Sequence, residues 1–330
     1  MQVPAQVEYE RATSVSQALA LLMRYGSEAR ILAGGHSLIP MMKLRLARPE
    51  VLIDINGITD LRYISKSGGA LRIGALATHA DLLGSAVAGE YFAILHDAER
   101  VIADPVVREW GTVGGSLCQA DPSEDLSAAF AALTGTMIVT GQNGTREVPA
   151  RQFFLGPYET VVGQAEMLTE IRLPLLSRGA TPLPAPRTSA RFGSAYLKVM
   201  RRAGDWPVGA AGAAVWLGPA GDGAPLVEGV GIGLTALGAR NFVAAEAEDF
   251  LRGRPATEEN LRRAGEIAAG NCRPVADQRG PEDYKRHLAG ELTVRALRLA
   301  ARRAGGGGGL GGGGGLGGGG GLGGGGGEVL

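Results

Sequence analysis

Cysteine is nearly absent: the 330 residues contain two, Cys118 and Cys272. Thiols that far apart in sequence hold neither an iron–sulfur cluster nor a structural zinc ion, and they make no disulfide framework. A reducing, cytoplasmic setting is therefore expected. A surplus of positive charge is also missing, since 33 Lys and Arg balance 33 Asp and Glu. That balance disfavours nucleic acid as the main partner, because phosphate binding needs a basic excess. No apolar run is long enough to span a bilayer. The N-terminal stretch carries Glu8, Glu10 and Arg11 where a signal peptide needs an unbroken apolar core.

What is present is an ordinary globular composition, 45% hydrophobic and 20% charged, followed by a tail of another kind. From Gly305 the chain reads GGGGGLGGGGGLGGGGGLGGGGGEVL. Glycine has the largest backbone entropy to lose, and this stretch offers almost nothing to bury, so a flexible, disordered extension is expected. Leu310, Leu316 and Leu322 recur there at a fixed step; low-complexity drift explains them better than a docking strip.

Before the tail, helices and strands mix without a regular βαβ alternation, which places the chain in the α+β class. Ser14 is a candidate N-cap for a helix over 14–25, ARIL runs as a short strand into the glycine turn, and VLIDIN (residues 51–56) reads as another strand. Hairpins are expected around Ser67–Gly69 and at Asn143–Gly144. HADLLGSAVAGEYFAILHDAERVI reads as helical, EDLSAAFAALTG as a short helix ended by Gly135, and EMLTEIRLPL as a strand stopped by Pro174. Residues 177–190, rich in proline and small side chains, are the best linker. Beyond them SAYLKVMRR and VGAAGAAVWLG read as strands or a strand plus a helix, and LVEGVGIGLTALG as a buried strand pair. Two helices and a long amphipathic one, with a break near Gly290, complete the chain.

Two stretches carry chemistry. In AGGHS (Ala33 to Ser37), a strand breaks into two glycines and bares consecutive backbone N–H groups, which makes a nest for an anion such as phosphate. Neither a Walker motif nor a GxGxxG fingerprint is formed there, and a Gly-Gly pair alone is more often only a turn. GTVGGSLCQADPSEDLSA (residues 111–128) repeats the double glycine at Gly114 and Gly115, then offers Ser116, Asp121 and Asp125. Two such nests could grip both halves of a pyrophosphate, and a carboxylate could accept hydrogen bonds from sugar or ribityl hydroxyls. Helix capping is the alternative role for Asp121 and Asp125. His79 and His96 read as capping or surface residues, His287 as an exposed helix residue, Lys198, Arg201 and Arg202 as solvated cations, and Trp206 as core.

Taken in order, AGGHSLIPMMKLRLARPEVLIDI, THADLL, IADPVVREWGTVGGSLCQADPSEDLSAA and LKVMRRAGDW resemble the medium, FAD-binding subunit of the molybdenum hydroxylases. That group includes aerobic carbon monoxide dehydrogenase and bacterial xanthine dehydrogenases. The similarity runs over essentially residues 1–300 and stops at the tail. It implies an FAD-binding fold of the vanillyl-alcohol oxidase / p-cresol methylhydroxylase (PCMH) type, with two N-terminal α/β subdomains and a smaller α+β C-terminal domain. The expected division is a PCMH-type domain over 1–178 (subdomains about 1–56 and 57–178), a linker over 179–190, a C-terminal domain over 191–304 and the tail over 305–330.

The resemblance also implies roles. Ala33, Gly34, Gly35, His36 and Ser37, with Leu38 behind them, correspond to a first pyrophosphate loop; Thr112, Val113, Gly114, Gly115 and Ser116 correspond to a second. Asp125, with Asp121 beside it, would hold ribityl or ribose hydroxyls. Leu168 would touch the flavin, Lys198 would approach the cofactor, and Trp206 would stand near the isoalloxazine. FAD would be bound noncovalently, with no covalent link through His36. The carbon monoxide dehydrogenase branch tends to carry Asn where this chain has Ser116, and serine keeps a hydrogen-bonding side chain. The implied partners are a large molybdenum-cofactor subunit and a small [2Fe–2S] subunit in a heterohexamer, with the chain passing electrons to NAD, a quinone or another acceptor. A stand-alone flavin oxidase and a flavin-free scaffold are the alternatives.

Overall fold

The computed structural model describes residues 3–175, 191–219 and 223–305. The proline-rich linker and the glycine tail, with Leu310, Leu316 and Leu322, lie outside the described residues.

Three main sheets follow one another along the chain. The first is parallel, with strands β1 (Glu8–Arg11), β2 (Ala29–Leu32) and β3 (Val51–Asp54) in the order β1–β3–β2. Parallel neighbours need crossovers. Helix α1 (Val15–Tyr25) supplies one, and α2 (Leu38–Lys43) lies between β2 and β3. Ser14 Oγ accepts the Gln17 N–H at 3.2 Å and starts α1, whose Ala18, Leu19 and Leu22 are buried beside Ile53.

The second sheet is antiparallel and has five strands. These are β4 (Ile64–Ser67), β5 (Ala70–Gly74), β6 (Thr136–Gly141), β7 (Gly144–Pro149) and, after the two-stranded ribbon β8 (Phe154–Gly156) and β9 (Glu159–Thr160), β10 (Glu166–Pro174). Their order is β4–β5–β10–β6–β7. The first hairpin turns at Gly68–Gly69, both with positive φ, so Ser67 pairs with Ala70.

Between β5 and β6 the expected single helical stretch is broken into α3 (His79–Gly84), α4 (Ala86–Tyr91) and α5 (Ala93–Glu99). Local side chains make the breaks: Ser85 ends α3 and caps α4 by accepting from Ala88 N, and Phe92 has a non-helical backbone. Then come α6 (Pro105–Trp110), α7 (Val113–Gln119), α8 (Asp125–Ala132) and α9 (Ala150–Phe153).

The third sheet is β11 (Arg191–Val199), β12 (Gly209–Leu217) and β13 (Val227–Thr235), antiparallel in that order. Helices α10 (Ala245–Leu251), α11 (Glu258–Asn271) and α12 (Glu282–Ala304) belong to it. The expected strand pair over LVEGVGIGLTALG is one long strand. The unbroken apolar pattern that suggested two elements arises because β13 is covered on both faces. Nor does α12 break at Gly290: a Cβ there would stand 3.2 Å from Gly265 O, so the glycine permits a close crossing of α11 and α12.

One helix ties the second sheet to the third. Every residue of α8 is buried, and β13 lies against it. Added Cβ atoms at Gly231 and Gly233 would overlap Ala132 O and Ala128 O, so the strand and helix backbones touch with no side chain between them. Tyr196, Ala210, Ala214 and Trp216 of the third sheet join the core built around β5, β6 and β10. Its other face packs on α10, α11 and α12 through a separate core. Gly233→Ala is expected to force α8 off β13 and destabilise the chain by about 1–3 kcal/mol, the usual overpacking range. Urea denaturation of that variant against the parent checks it.

Candidate functional site

The first glycine motif leaves β2 and is held from the side. Asn56 donates from Nδ2 to Ala33 O at 2.8 Å, and Asn56 is itself fixed by Asp54 Oδ1. Gly35 has φ +77°, in the left-handed region. Among the described residues, the N–H groups of Gly34, Gly35, His36 and Ser37 have no internal acceptor. His36 and Ser37 are exposed. This is a row of four free donors turned from one short loop, as an anion nest requires.

The second motif differs from the sequence expectation. Thr112, Val113, Gly114, Gly115 and Ser116 are not a loop but the cap and first turn of α7. The N–H groups of the last four are already used: Val113 N donates to Ala77 O, Gly114 N to Ala75 O, Gly115 N to Thr112 Oγ1 and Ser116 N to Thr112 O. The glycines do another job. A Cβ on Gly114 would meet Ala75 at 2.6 Å, so that glycine seats α7 on the second sheet. A Cβ on Gly115 would stand 2.6 Å from Thr112 Oγ1, the hydroxyl that caps α7, and near no other residue. Gly115 is exposed, so it leaves open space where α7 begins.

The two motifs meet backbone to backbone. An added Cβ at Gly34 would overlap Trp110 O and stand 2.9 Å from Gly111 Cα, immediately before Thr112. A second link joins Gln119 of α7 to Met41 of α2, Nε2 to Sδ, at 3.4 Å. Leu168 is buried on β10, which packs against α7, so the structure brings it to the same helix. The residues from 33–38, 112–116 and 168 therefore converge.

Asp121, Asp125, Lys198 and Trp206 are placed differently. Asp121 is half-buried; its Oδ1 accepts from Ser123 N at 2.9 Å and its Oδ2 from Tyr158 OH at 3.1 Å. The cap of α8 is Glu124, which accepts from Leu126 N and Ser127 N; Asp125 is one residue inside the helix. Asp125 is 5% exposed, with Tyr196 OH on Oδ1 at 2.8 Å and Lys198 Nζ on Oδ2 at 2.9 Å. Burial pushes its carboxyl up, and Lys198 and Tyr196 oppose that. Lys198 is no solvated cation: its side chain is 1% exposed and also donates to Val101 O. Trp206 is exposed rather than core, as are Arg201 and Arg202.

His79 is the residue the sequence concealed. It is 3% exposed, not on the surface. Its Nδ1 lies 3.0 Å from Oε2 of Glu99, which is fully buried, and its Nε2 lies 2.9 Å from Ser116 Oγ. Burial disfavours its charged form, the Glu99 carboxylate favours it, and the net direction is upward. The available signal was Glu99, one acid on a helix whose Ile94, Leu95 and Ala98 face the core. His96 is half-buried and His287 exposed. Among the described residues no three His, Cys, Asp or Glu side chains are grouped to hold a metal ion, and no helix is long and apolar enough to cross a membrane.

Residues 5–176 match the FAD binding domain in molybdopterin dehydrogenase, and residues 194–300 match the CO dehydrogenase flavoprotein C-terminal domain. The chain belongs to the FAD-binding medium-subunit family of the molybdenum hydroxylases. One relative is the carbon monoxide dehydrogenase medium chain of Hydrogenophaga pseudoflava, 39% identical over 91% of this chain and 99% of that one. Another is the glyceraldehyde dehydrogenase medium chain of Sulfolobus acidocaldarius, 32% identical over 90% of this chain and 99% of that one. A solved structure of the Hydrogenophaga pseudoflava carbon monoxide dehydrogenase superposes with a TM-score of 0.82 at 40% identity, covering 91% of this chain and 99% of that chain. Membership makes the chain an oxidoreductase subunit whose cofactor is FAD, and the fold is that of the medium chain of carbon monoxide dehydrogenase.

The donor set fits FAD: free N–H groups at residues 34–37 face a dinucleotide's phosphates in charge, and Gly115 leaves room beside them. The buried pair generates a stability prediction. Lys198→Met leaves the Asp125 carboxylate uncompensated and should destabilise the chain by about 3–5 kcal/mol, whereas adding Asp125→Leu should restore most of the loss. Chemical denaturation of the single and double variants checks it.

Proposed function

We propose that the chain is the electron-transfer flavoprotein subunit of a molybdenum-dependent hydroxylase or dehydrogenase. The observation that carries this reading is the row of unpaired N–H groups at residues 34–37, fixed against the start of α7. When bound, FAD supplies electron exchange between [2Fe–2S] clusters on a small partner subunit and an external acceptor (NAD, a quinone or another), while a molybdenum cofactor on a large partner oxidises the substrate.

This chain's own part is to bind and orient. The N–H groups of Gly34 to Ser37 take the pyrophosphate, with Ala33 and Leu38 anchoring the loop ends. Thr112, Val113 and Gly114 fix the start of α7, Gly115 makes the room and Ser116 adds a hydroxyl. Both carboxylates already have partners on each oxygen, and Asp121 is the more accessible of the two to a sugar or ribityl hydroxyl, being half-buried where Asp125 is 5% exposed. Leu168 gives an apolar wall, Trp206 stands exposed for the ring system or a partner, and the Asp125–Lys198 pair supports the site from behind. The assembly would be a cytoplasmic heterohexamer with two copies of each subunit. The PCMH-type domain would end near residue 178 and the C-terminal domain begin near 191.

The decisive measurement is the visible spectrum of the purified chain, then of the supernatant after acid precipitation. Flavin absorption near ~450 nm, released into the supernatant, is expected for a noncovalent cofactor. Flavin that stays in the pellet would mean a covalent link. A colourless chain that stays colourless with added FAD, alone and co-expressed with its partners, would mark a flavin-free scaffold. Turnover by the chain alone with oxygen would mark an oxidase. Gly115→Val pushes a side chain against the Thr112 cap and into the space beside α7, and should abolish FAD retention while leaving most of the fold intact, with a lowered thermal midpoint from the disturbed cap. Normal flavin content in that variant would sink the placement of the pyrophosphate.

A further inference from the structure

In the second glycine motif the N–H groups of Val113, Gly114, Gly115 and Ser116 all have internal acceptors, and the N–H of Thr112, which has none among the described residues, lies on a residue only 4% exposed. The side-chain donor this motif can offer an anion is the Ser116 hydroxyl, which carries a single proton. That hydroxyl is also bonded, at 2.9 Å, to Nε2 of His79, and Nδ1 of His79 is bonded to Glu99. Resting on the reading that FAD's pyrophosphate lies at the two glycine motifs, we propose that His79, set by Glu99, is a positioning residue that directs the Ser116 proton toward the cofactor's phosphate, so that FAD capture is coupled to the uptake of one proton.

The argument is an accounting of protons. With Nε2 bare, His79 accepts the Ser116 proton, and Ser116 shows only lone pairs to the phosphate. With a proton on Nε2, His79 donates to Ser116 Oγ, and the hydroxyl proton is free for the phosphate. The second state holds one more proton on the His79–Glu99 pair, whether as imidazolium with carboxylate or as neutral imidazole with carboxylic acid. It also leaves the buried pair neutral, whereas the first state leaves a net negative charge beneath an anion site.

Other charged groups bear on the pair. Arg108 of α6 acts on Glu99 and lowers its proton affinity, while burial raises it. Glu124, at the cap of α8, and Asp125, with its partner Lys198 from β11, bear on His79, and both acids favour its charged form. The folded-state shift of His79 is upward, so the extra proton is held at acid pH and lost as pH rises through that raised range. FAD affinity should therefore be flat in acid and fall on the alkaline side, by up to about tenfold per pH unit for a one-proton linkage.

The test is titration of the full-length apo chain with FAD, followed by flavin fluorescence, from pH 6 to 9. Ser116→Ala should weaken binding roughly tenfold to a hundredfold at the acid end, as expected for one hydrogen bond to a charged group, and remove the alkaline fall. Glu99→Gln lets neutral His79 carry its proton on Nε2 at every pH, so FAD should still bind and the fall should flatten. His36, in the facing motif, is unchanged in both variants, so any slope it contributes persists in all three proteins. Wild-type affinity that does not vary with pH would overturn the proposal, as would an alkaline fall of equal slope in both variants. A wild-type chain that takes up no FAD at any pH would overturn the underlying cofactor placement, and the proposal with it.

Discussion

Gly34 lies directly on the backbone of Trp110 and Gly111, with no room for even a methyl group between them. That contact sets the distance between a loop leaving the first sheet and a helix seated on the second. The loop offers free N–H groups; the helix offers open space and a hydroxyl. Neither half is a strong anion site alone, and they act on one ligand only if their separation is fixed. Two further contacts hold the same geometry from outside, Asn56 on Ala33 O and Gln119 on Met41. Rigid placement of donors before the ligand arrives lowers the ordering cost of binding.

Behind the motifs lies a buried polar layer. Glu99, His79 and Ser116 form one chain of hydrogen bonds, and Tyr196, Asp125 and Lys198 form another. Unpaired, each of these groups would oppose folding; paired, they define one arrangement of α3, α5, α7, α8 and β11. The relatives differ in the substrates their names record, carbon monoxide in one case and glyceraldehyde in another. A subunit that binds a cofactor common to the family can keep one scaffold through such changes.

Much of the local structure was legible in the sequence, because local rules governed it. The Ser14 cap, the Gly68–Gly69 turn and the alternating strands needed no tertiary information. Legibility failed where long-range packing decided the outcome. TVGGS looked like a second nest, yet two of its N–H groups are taken by Ala75 and Ala77, 36 to 39 positions earlier, and two more by its own Thr112. Gly290 looked like a helix breaker because nothing in its neighbourhood reveals that Gly265 lies opposite. Lys198 looked solvated because its partners, Asp125 and Val101, belong to a different sheet layer. His79 read as a capping or surface residue because its partner Glu99 lies twenty positions on, and only the fold brings Glu99 beneath it.

Helix α8 has no face toward solvent. One side belongs to the core of the second sheet, and the other is closed by the glycines of β13. Its amide hydrogens can reach water only when one of those two layers comes away. The stretch matched to the FAD-binding family and the stretch matched to the C-terminal family are separate along the chain, but α8 is buried between them. A fragment that ends between the two would leave a bare apolar helix on one piece and a glycine-lined sheet on the other.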